Sequence, residues 1–149
     1  MAELVGWRSH VIVPNVSWGL GLKHECDLLV LDKNRRFTEI EIKVTAQDLR
    51  RDFIKPHGHM DSRITRLVFA VPESILEIAV DLVPKHCGII SVKMGGSGAW
   101  EAQWIRRGKH RPGPSKLDEK TVSKFMELGC MRVWSLKRTL NQRYERARK

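Results

Sequence analysis

The sequence predicts an α/β fold in which a mixed β-sheet is flanked by helices, with a basic helix at the C-terminus. Three observations carry this expectation. Short apolar or alternating runs bounded by Gly, Pro and Asn recur between about residues 10 and 105. One pair of these runs is separated only by the turn KNRR, which implies an antiparallel hairpin, whereas others are separated by stretches with helical spacing. From Asp118 onward, apolar residues recur at helical spacing with Lys and Arg filling the gaps.

HVIVPNV at 10–16 reads as a first strand, and Pro14 places it at an edge or near its end. SWGLGLKH is a Gly-bearing loop. CDLLVLD at 26–32 is a strongly apolar strand, and FTEIEIKV returns beside it. Thr45 is a good N-cap for AQDLRRDFIK, with Asp48 as the reciprocal partner and Leu49 and Phe53 turned to the sheet. Pro56 ends that helix, and HGHMDSR is a polar loop. RLVFAV at 66–71 is a buried-type strand. Pro72 opens a helix carrying Ile75, Ile78, Ala79 and Leu82 at helical spacing, which Pro84 stops. GIISVK, the turn GGSG at 95–98 and AWEAQWI form the last hairpin. RRGKHRPGPSK is a flexible basic loop. The final helix carries an apolar stripe of Val122, Phe125, Met126, Val133, Leu136 and Leu140, with Gly129 a point of kinking and Trp134 in the core. Trp100 and Trp104 share one parity; core packing under the final helix is the favoured reading, and stacking on unpaired bases the other. There is no internal repeat. The expected organisation is one domain over 1–149, with a core at about 10–105 and the basic loop and helix at 106–149.

The net charge of +10 is unevenly placed. Residues 102–149 hold 14 Lys and Arg against 4 Asp and Glu, so this last third carries the whole excess. A lopsided basic segment suits a polyanion, most simply nucleic acid. No apolar run approaches the ~20 residues needed to cross a bilayer, and MAELVGWRSH lacks a signal-peptide pattern, so the expected location is intracellular, in the cytoplasm. Cys26, Cys87 and Cys130 are scattered, which fits reduced thiols better than a disulfide framework or zinc knuckle.

The chemistry concentrates at FTEIEIKVTAQDLRRDF, residues 37–53. Glu39, Glu41 and Lys43 share one parity of the strand and Ile40, Ile42 and Val44 the other. Asp27 opens the paired strand, so carboxylates from two adjacent strands converge at what reads as a polar sheet edge. Lys43 follows on the same face, about 6–7 Å beyond Glu41. Two carboxylates suit Mg²⁺ or Mn²⁺, and a lysine beside such an ion positions water or stabilises phosphoryl charge.

With the helix directly after it, the pattern Asp27-x13-Glu41-Ile42-Lys43 resembles the PD-(D/E)XK nuclease superfamily. The stretches HECDLLVLDKNRRFTEIEIKVTAQDLRRDF, RITRLVFAVPESI and PKHCGIISV, across roughly residues 24–92, are similar to MmcB-type DNA-repair nuclease-like proteins. The resemblance implies a restriction-endonuclease-like fold and a metal-dependent nuclease that hydrolyses DNA phosphodiester bonds, in DNA repair or phage nucleic-acid processing. It assigns metal binding to Asp27, Glu41 and the Ile42 carbonyl, and water or phosphate handling to Lys43. The superfamily often adds an acidic ligand from an N-terminal helix; here Glu39, Glu25 or water would take that place, Glu39 first because it shares the face of Glu41. The alternative is a catalytically silent DNA- or partner-binding module on the same fold, and a third class is a structural subunit of a larger complex with the C-terminal helix as its docking surface.

Gln47, on the first helical turn after Lys43, is a candidate phosphate contact or a plain exposed residue, and Arg50 one turn on is a candidate for the DNA backbone. His57, in H-x-H-x-D with His59 and Asp61, is read as a phosphate contact in preference to a zinc ligand, since no fourth ligand has matching spacing. Arg106, Arg107, Lys109 and Arg111 form the densest basic run and would lie along phosphates without reading bases. The reading admits a homodimer.

Overall fold

A computed structural model describes residues 2–6, 8–17, 19–54, 61–112 and 116–148. A short helix α1 (Ala2–Val5) precedes β1 (Val11–Val16), β2 (Cys26–Leu31) and β3 (Phe37–Ile42). Helix α2 (Ala46–Asp52) leads to β4 (Ile64–Pro72). A 3-10 turn (Glu73–Ile75) runs into α3 (Leu76–Leu82), then come β5 (Gly88–Met94), β6 (Trp100–Arg106) and α4 (Glu119–Ala147). The six strands form one sheet in sequential order, β1-β2-β3-β4-β5-β6. β1, β2 and β3 pair antiparallel, β3, β4 and β5 parallel, and β6 returns antiparallel. This is a mixed α/β sheet flanked by helices, with the parallel pairs falling where a helix intervenes.

Local signals explain the element ends. The Thr45 side chain accepts from the Asp48 amide at 3.1 Å and starts α2; the Asp118 carboxylate does the same for Thr121 at the head of α4. Leu49 is buried as expected. Phe53 is 42 % exposed, though its ring still lies 5.5 Å from that of Phe69. In α3 the core side is Ala79, with Val83 at its end; Leu82 faces solvent, because the helix starts with a 3-10 turn that rotates its phase.

Odd-numbered residues of β3, and of β4 beyond the register shift after Phe37, face the helices. There Val13, Leu29, Phe37 and Ile64 pack under the first part of α4 through Phe125 and Leu128, and Leu67, Phe69, Val71 and Ile89 pack under α2 and α3. The other face holds Val30, Ile40, Val68, Ala70 and Ile90, with Leu4, Val5 and Trp104 against it. Trp104 therefore packs on the face opposite α4, and Trp100 is 69 % exposed.

α4 continues as one helix through Gly129. A Cβ there would meet Val13 Cγ2 at 3.2 Å, so the glycine serves a close crossing over β1. Past this crossing nothing in the sheet covers the helix, and Val133, Trp134, Leu136 and Leu140 are more than half exposed. The expected core places of Trp134 and of the second half of the stripe are thus corrected: α4 outruns the sheet it packs on. Among the described residues, no helix is long and apolar enough to cross a membrane.

Candidate metal and phosphate site

β3 is an inner strand whose charged parity is fully buried, and on the other parity Ile40 is buried too. Glu39, Glu41 and Lys43 are 0 %, 3 % and 4 % exposed, while Ile42 and Val44 are 43 % and 67 % exposed. The register explains this. Glu39 and Glu41 lie beside Leu67 and Phe69 of β4, on the face that the helices cover. The three charges form a polar seam between two apolar clusters. A polar sheet edge is therefore the wrong description, and charges so placed need partners.

The Lys43 ammonium donates to Glu41 Oε2 at 2.6 Å and lies 3.0 Å from Asp52 Oδ1. Asp52 is 2 % exposed and sits at the end of α2, on the side that carries Leu49. Sequence reasoning passed over Asp52, although its place three residues after Leu49 puts an acid on the inward side of an amphipathic helix. Burial pulls the Lys43 ammonium down, but the hydrogen bonds and charges of Glu41 and Asp52 outweigh it and hold the group protonated. Burial pushes the Glu41 carboxyl up to about 7; Lys43 opposes the rise, and the charges of Glu39 and Asp27 add to it. The two shifts favour opposite charge states of one contact. At 2.6 Å the geometry is that of an ammonium donating to a carboxylate, and the upward shift of Glu41 records how much burial and like charge oppose that state.

Asp27 is half-buried at the start of β2. Leu28 pairs with Ile40, a register that carries Asp27 opposite Glu41. Asp27 Oδ2 accepts from the Ile42 amide at 2.8 Å, which sets the Ile42 peptide against the carboxylate. The structure therefore brings together Asp27, Glu41, Ile42 and Lys43. Two facing carboxylates from adjacent strands, in mutual repulsion, fit a hard divalent cation.

Glu39 belongs to a different grouping. Its Oε1 is 2.5 Å from His24 Nε2, and Cys26 Sγ lies 3.9 Å from the same nitrogen. Donor atoms of these three residues all lie within 4.8 Å of one another. Ligand atoms each about 2.0–2.2 Å from a tetrahedral zinc stand more than 3 Å apart, so the 2.5 Å contact is a direct hydrogen bond with no room for an ion between the two groups. Burial, then the charges of Glu39 and Glu41, push the Cys26 thiol far above its ordinary range, as befits an inert core thiol. Glu39 is thus engaged as the acceptor for His24. His24 went unread in the sequence because its partner lies on another strand.

The proposed nucleic-acid contacts divide. Gln47 and Arg50 are exposed on α2, just after Lys43. His57 and His59 lie outside the described residues, and Asp61 of the same motif is engaged by Arg63 at 2.8–3.0 Å. Arg106 is a correction. It ends β6, and its guanidinium donates to the carbonyls of Val83, Pro84 and Cys87 at 2.8–3.0 Å, closing the C-terminal end of α3. Arg107 is exposed and stacks 5.2 Å from the Trp104 ring; Lys109 is exposed and Arg111 half-buried.

The described part of the basic loop is also pinned. The Lys109 amide donates to His86 O at 2.8 Å and the Arg111 amide to Thr65 O at 2.6 Å. A Cβ on Gly108 would stand 2.7 Å from the Gly88 amide, so glycine is required at that backbone crossing. Because Thr65 bonds the Phe37 carbonyl, the loop lies at the start of β3, four residues or about 13 Å along the strand from Glu41.

Comparison with known proteins supports the fold class. No family model and no curated protein matches the chain. Among solved structures, it resembles the SPO1766 protein of unknown function from Silicibacter pomeroyi, with a TM-score of 0.65 and 20 % sequence identity, over 91 % of this chain and 85 % of that one. At that identity the likeness is one of fold.

Proposed function

We propose that this protein is a divalent-metal-dependent nuclease of restriction-endonuclease-like fold that cleaves DNA phosphodiester bonds. The observation that carries the reading is the placement of Asp27 opposite Glu41, with the protonated Lys43 two residues further on between Glu41 and Asp52. Asp27, Glu41 and the Ile42 carbonyl would hold Mg²⁺ or Mn²⁺, which when bound supplies positive charge to the scissile phosphate. Lys43 positions the attacking water and offsets charge developing on the phosphate oxygens. Asp52 keeps Lys43 protonated and fixes its direction, and Glu39, held by His24, adds negative charge beside Glu41. Gln47 and Arg50 are the exposed polar groups nearest in the chain for guiding the backbone. Arg107, Lys109 and Arg111 would hold DNA further along.

The test is incubation with duplex, single-stranded and branched DNA in Mg²⁺, in Mn²⁺ and in EDTA. Cleavage that needs metal and disappears in Asp27→Asn supports the reading; no cleavage of any substrate in either metal overturns it. One observation favours a second reading, a silent binding module on the same fold. Lys43 is 4 % exposed with a carboxylate on each side, which is also how a purely structural lysine would sit. DNA binding without metal-dependent cleavage would decide for that reading.

A further inference from the structure

The exposed half of α4 carries a pattern that neither the core nor the candidate site uses. Val122, Met126, Gly129, Val133, Leu136 and Leu140 recur at alternating spacings of four and three, and Tyr144 follows at four. The mean spacing is about 3.6–3.7, the period of the helix itself, so the row runs along one side of α4. The row touches the domain at Val122 and at Gly129, where the helix crosses Val13, with Met126 half exposed between them. Beyond that point the seam faces solvent: Val133 is 64 %, Leu136 58 %, Leu140 54 % and Tyr144 71 % exposed. Residues 133–147 extend about 22 Å at 1.5 Å per residue. A contiguous apolar row on a helix without cover marks a contact surface.

The width of the stripe and the charge around it limit what covers it. Val133, Leu136, Leu140 and Tyr144 fall within an arc of about 80° at 3.6 residues per turn, which matches a single helix, whereas a helix lying in a bilayer surface presents a broader apolar face; Trp134 and Met131, also exposed, stand outside that arc. Val and Leu offer nothing to phosphates, so nucleic acid does not account for the row. The described residues 129–148 carry Arg132, Lys137, Arg138, Arg143, Arg146 and Arg148 against one acid, Glu145. Lys137 flanks the seam beside Leu136 and Leu140, Arg143 lies at its far end and Arg146 beside it, while Arg132 is tied to the Asn15 carbonyl. Two copies of this arm laid together would set like charges along both flanks, which disfavours self-pairing.

We infer that the seam Val133–Leu136–Leu140–Tyr144 is a docking site for an amphipathic helix of another protein, apolar on one row and acidic on its flanks. Apolar rows would interlock along the 3-4 spacing, and Glu or Asp flanks would meet Lys137, Arg143 and Arg146. The inference is independent of whether the chain cleaves DNA.

The test uses the full chain and a fluorescent synthetic three-heptad peptide with Val and Leu on its seam and Glu on both flanks. Two controls are the same peptide with Lys flanks and a shuffled peptide of identical composition. The acidic peptide is expected to bind at least about tenfold more tightly than either control, and Leu136→Gln with Leu140→Gln to weaken it by about tenfold or more. Both substituted positions are exposed and Gln is a good helix former; circular dichroism checks that the arm stays helical. Equal binding of the shuffled peptide would reduce the effect to charge alone and overturn the inference. So would a dimer in sedimentation equilibrium that dissociates in the double variant. A double variant that loses duplex DNA affinity, with no peptide binding in the parent chain, would also overturn it in favour of nucleic acid.

Discussion

Glu41 and Asp61 are both nearly buried acids with a basic residue two positions on, Lys43 in one case and Arg63 in the other. Asp61 receives the Arg63 guanidinium through Nε and Nη2, together with the amides of Arg63 and Lys23, at 2.8–3.4 Å. Arg63 turns its remaining donors to the carbonyls of Leu20 and Gly21, so the pair fastens the loop before β2. The side-chain hydrogen bond from Arg63 leads in lowering the Asp61 carboxyl to about 2. Burial pushes Glu41 the other way, to about 7; Lys43 opposes the rise, and the charges of Glu39 and Asp27 add to it. An acid that the fold satisfies completely is a fastener. An acid left in opposition to its neighbours, on the side where another carboxylate converges, is where a cation would be received.

The largest expected difference comes from removing each base. Lys43→Met leaves Glu41 and Asp52 buried without their shared ammonium, which should cost about 3–5 kcal/mol in urea denaturation. Arg63→Met leaves Asp61 its two backbone donors and should cost only about 1–3 kcal/mol. Equal costs would erase the distinction between the two pairs. Because Lys43 is buried, activity loss in this variant mixes folding with chemistry, and Asp27 is the cleaner position. In Asp27→Asn the amide oxygen still accepts the Ile42 N–H, so the fold should hold. On the nuclease reading, cleavage should fall on the order of 10²–10³-fold and calorimetry should show weaker Mn²⁺ binding. Asp61→Asn should leave both unchanged apart from its effect on stability.

The two acids should also bend the pH–stability curve in opposite senses. Glu41 has a folded pKa above its ordinary 4.5, so the folded state binds more protons. Its contribution is fully present below about 4.5 and is lost as pH rises through about 7. Asp61 has a folded pKa below its ordinary 3.8; its contribution is present above that value and is lost as pH falls through about 2. Thermal melts in EDTA should therefore show a decline between pH 4.5 and 7 that Glu41→Gln removes, and Mn²⁺ should reduce that decline by favouring the charged carboxylate. A decline that persists unchanged in Glu41→Gln would show that another group titrates there.

Much of this arrangement is legible in the sequence, and the illegible part has a physical reason. Alternation or short apolar runs marked every strand, helical spacing marked α2, α3 and α4, and the hairpin turn set Asp27 opposite Glu41. Parity tells which residues share a face but not which face the helices will cover, so Glu39, Glu41 and Lys43 read as an exposed edge. Asp52 and His24 depend on contacts across elements. Arg106 looked like its basic neighbours because a guanidinium that closes a helix end and one that meets phosphate have the same letter. The stripe of α4 was visible, but its length relative to the sheet beneath it was not.

The smallest expected effect extends the comparison from acids to cations, with Arg106 bonded to carbonyls and Arg107, Lys109 and Arg111 as the remaining candidates for phosphate. Each phosphate neutralised on duplex DNA contributes about −0.9 to the slope of log K against log salt. Arg107→Gln, Lys109→Gln and Arg111→Gln together should therefore flatten the slope by up to about 2–3 units, similarly for different sequences because backbone contacts carry no base information. Arg106→Gln should lower stability and leave the slope alone, since it releases the carbonyls of Val83, Pro84 and Cys87 just after α3 without removing a phosphate contact. The loop lies about 13 Å along β3 from Glu41, and phosphates on one strand are about 3.4 Å apart along the axis. The same triple variant should then lose more affinity for long duplexes than for ones too short to run from Glu41 to the loop. Equal losses at all lengths would place the loop's phosphates at the reacting end, contrary to the strand register, and an unchanged slope in a folded triple variant would leave Gln47, Arg50 and α4 as the binding surface.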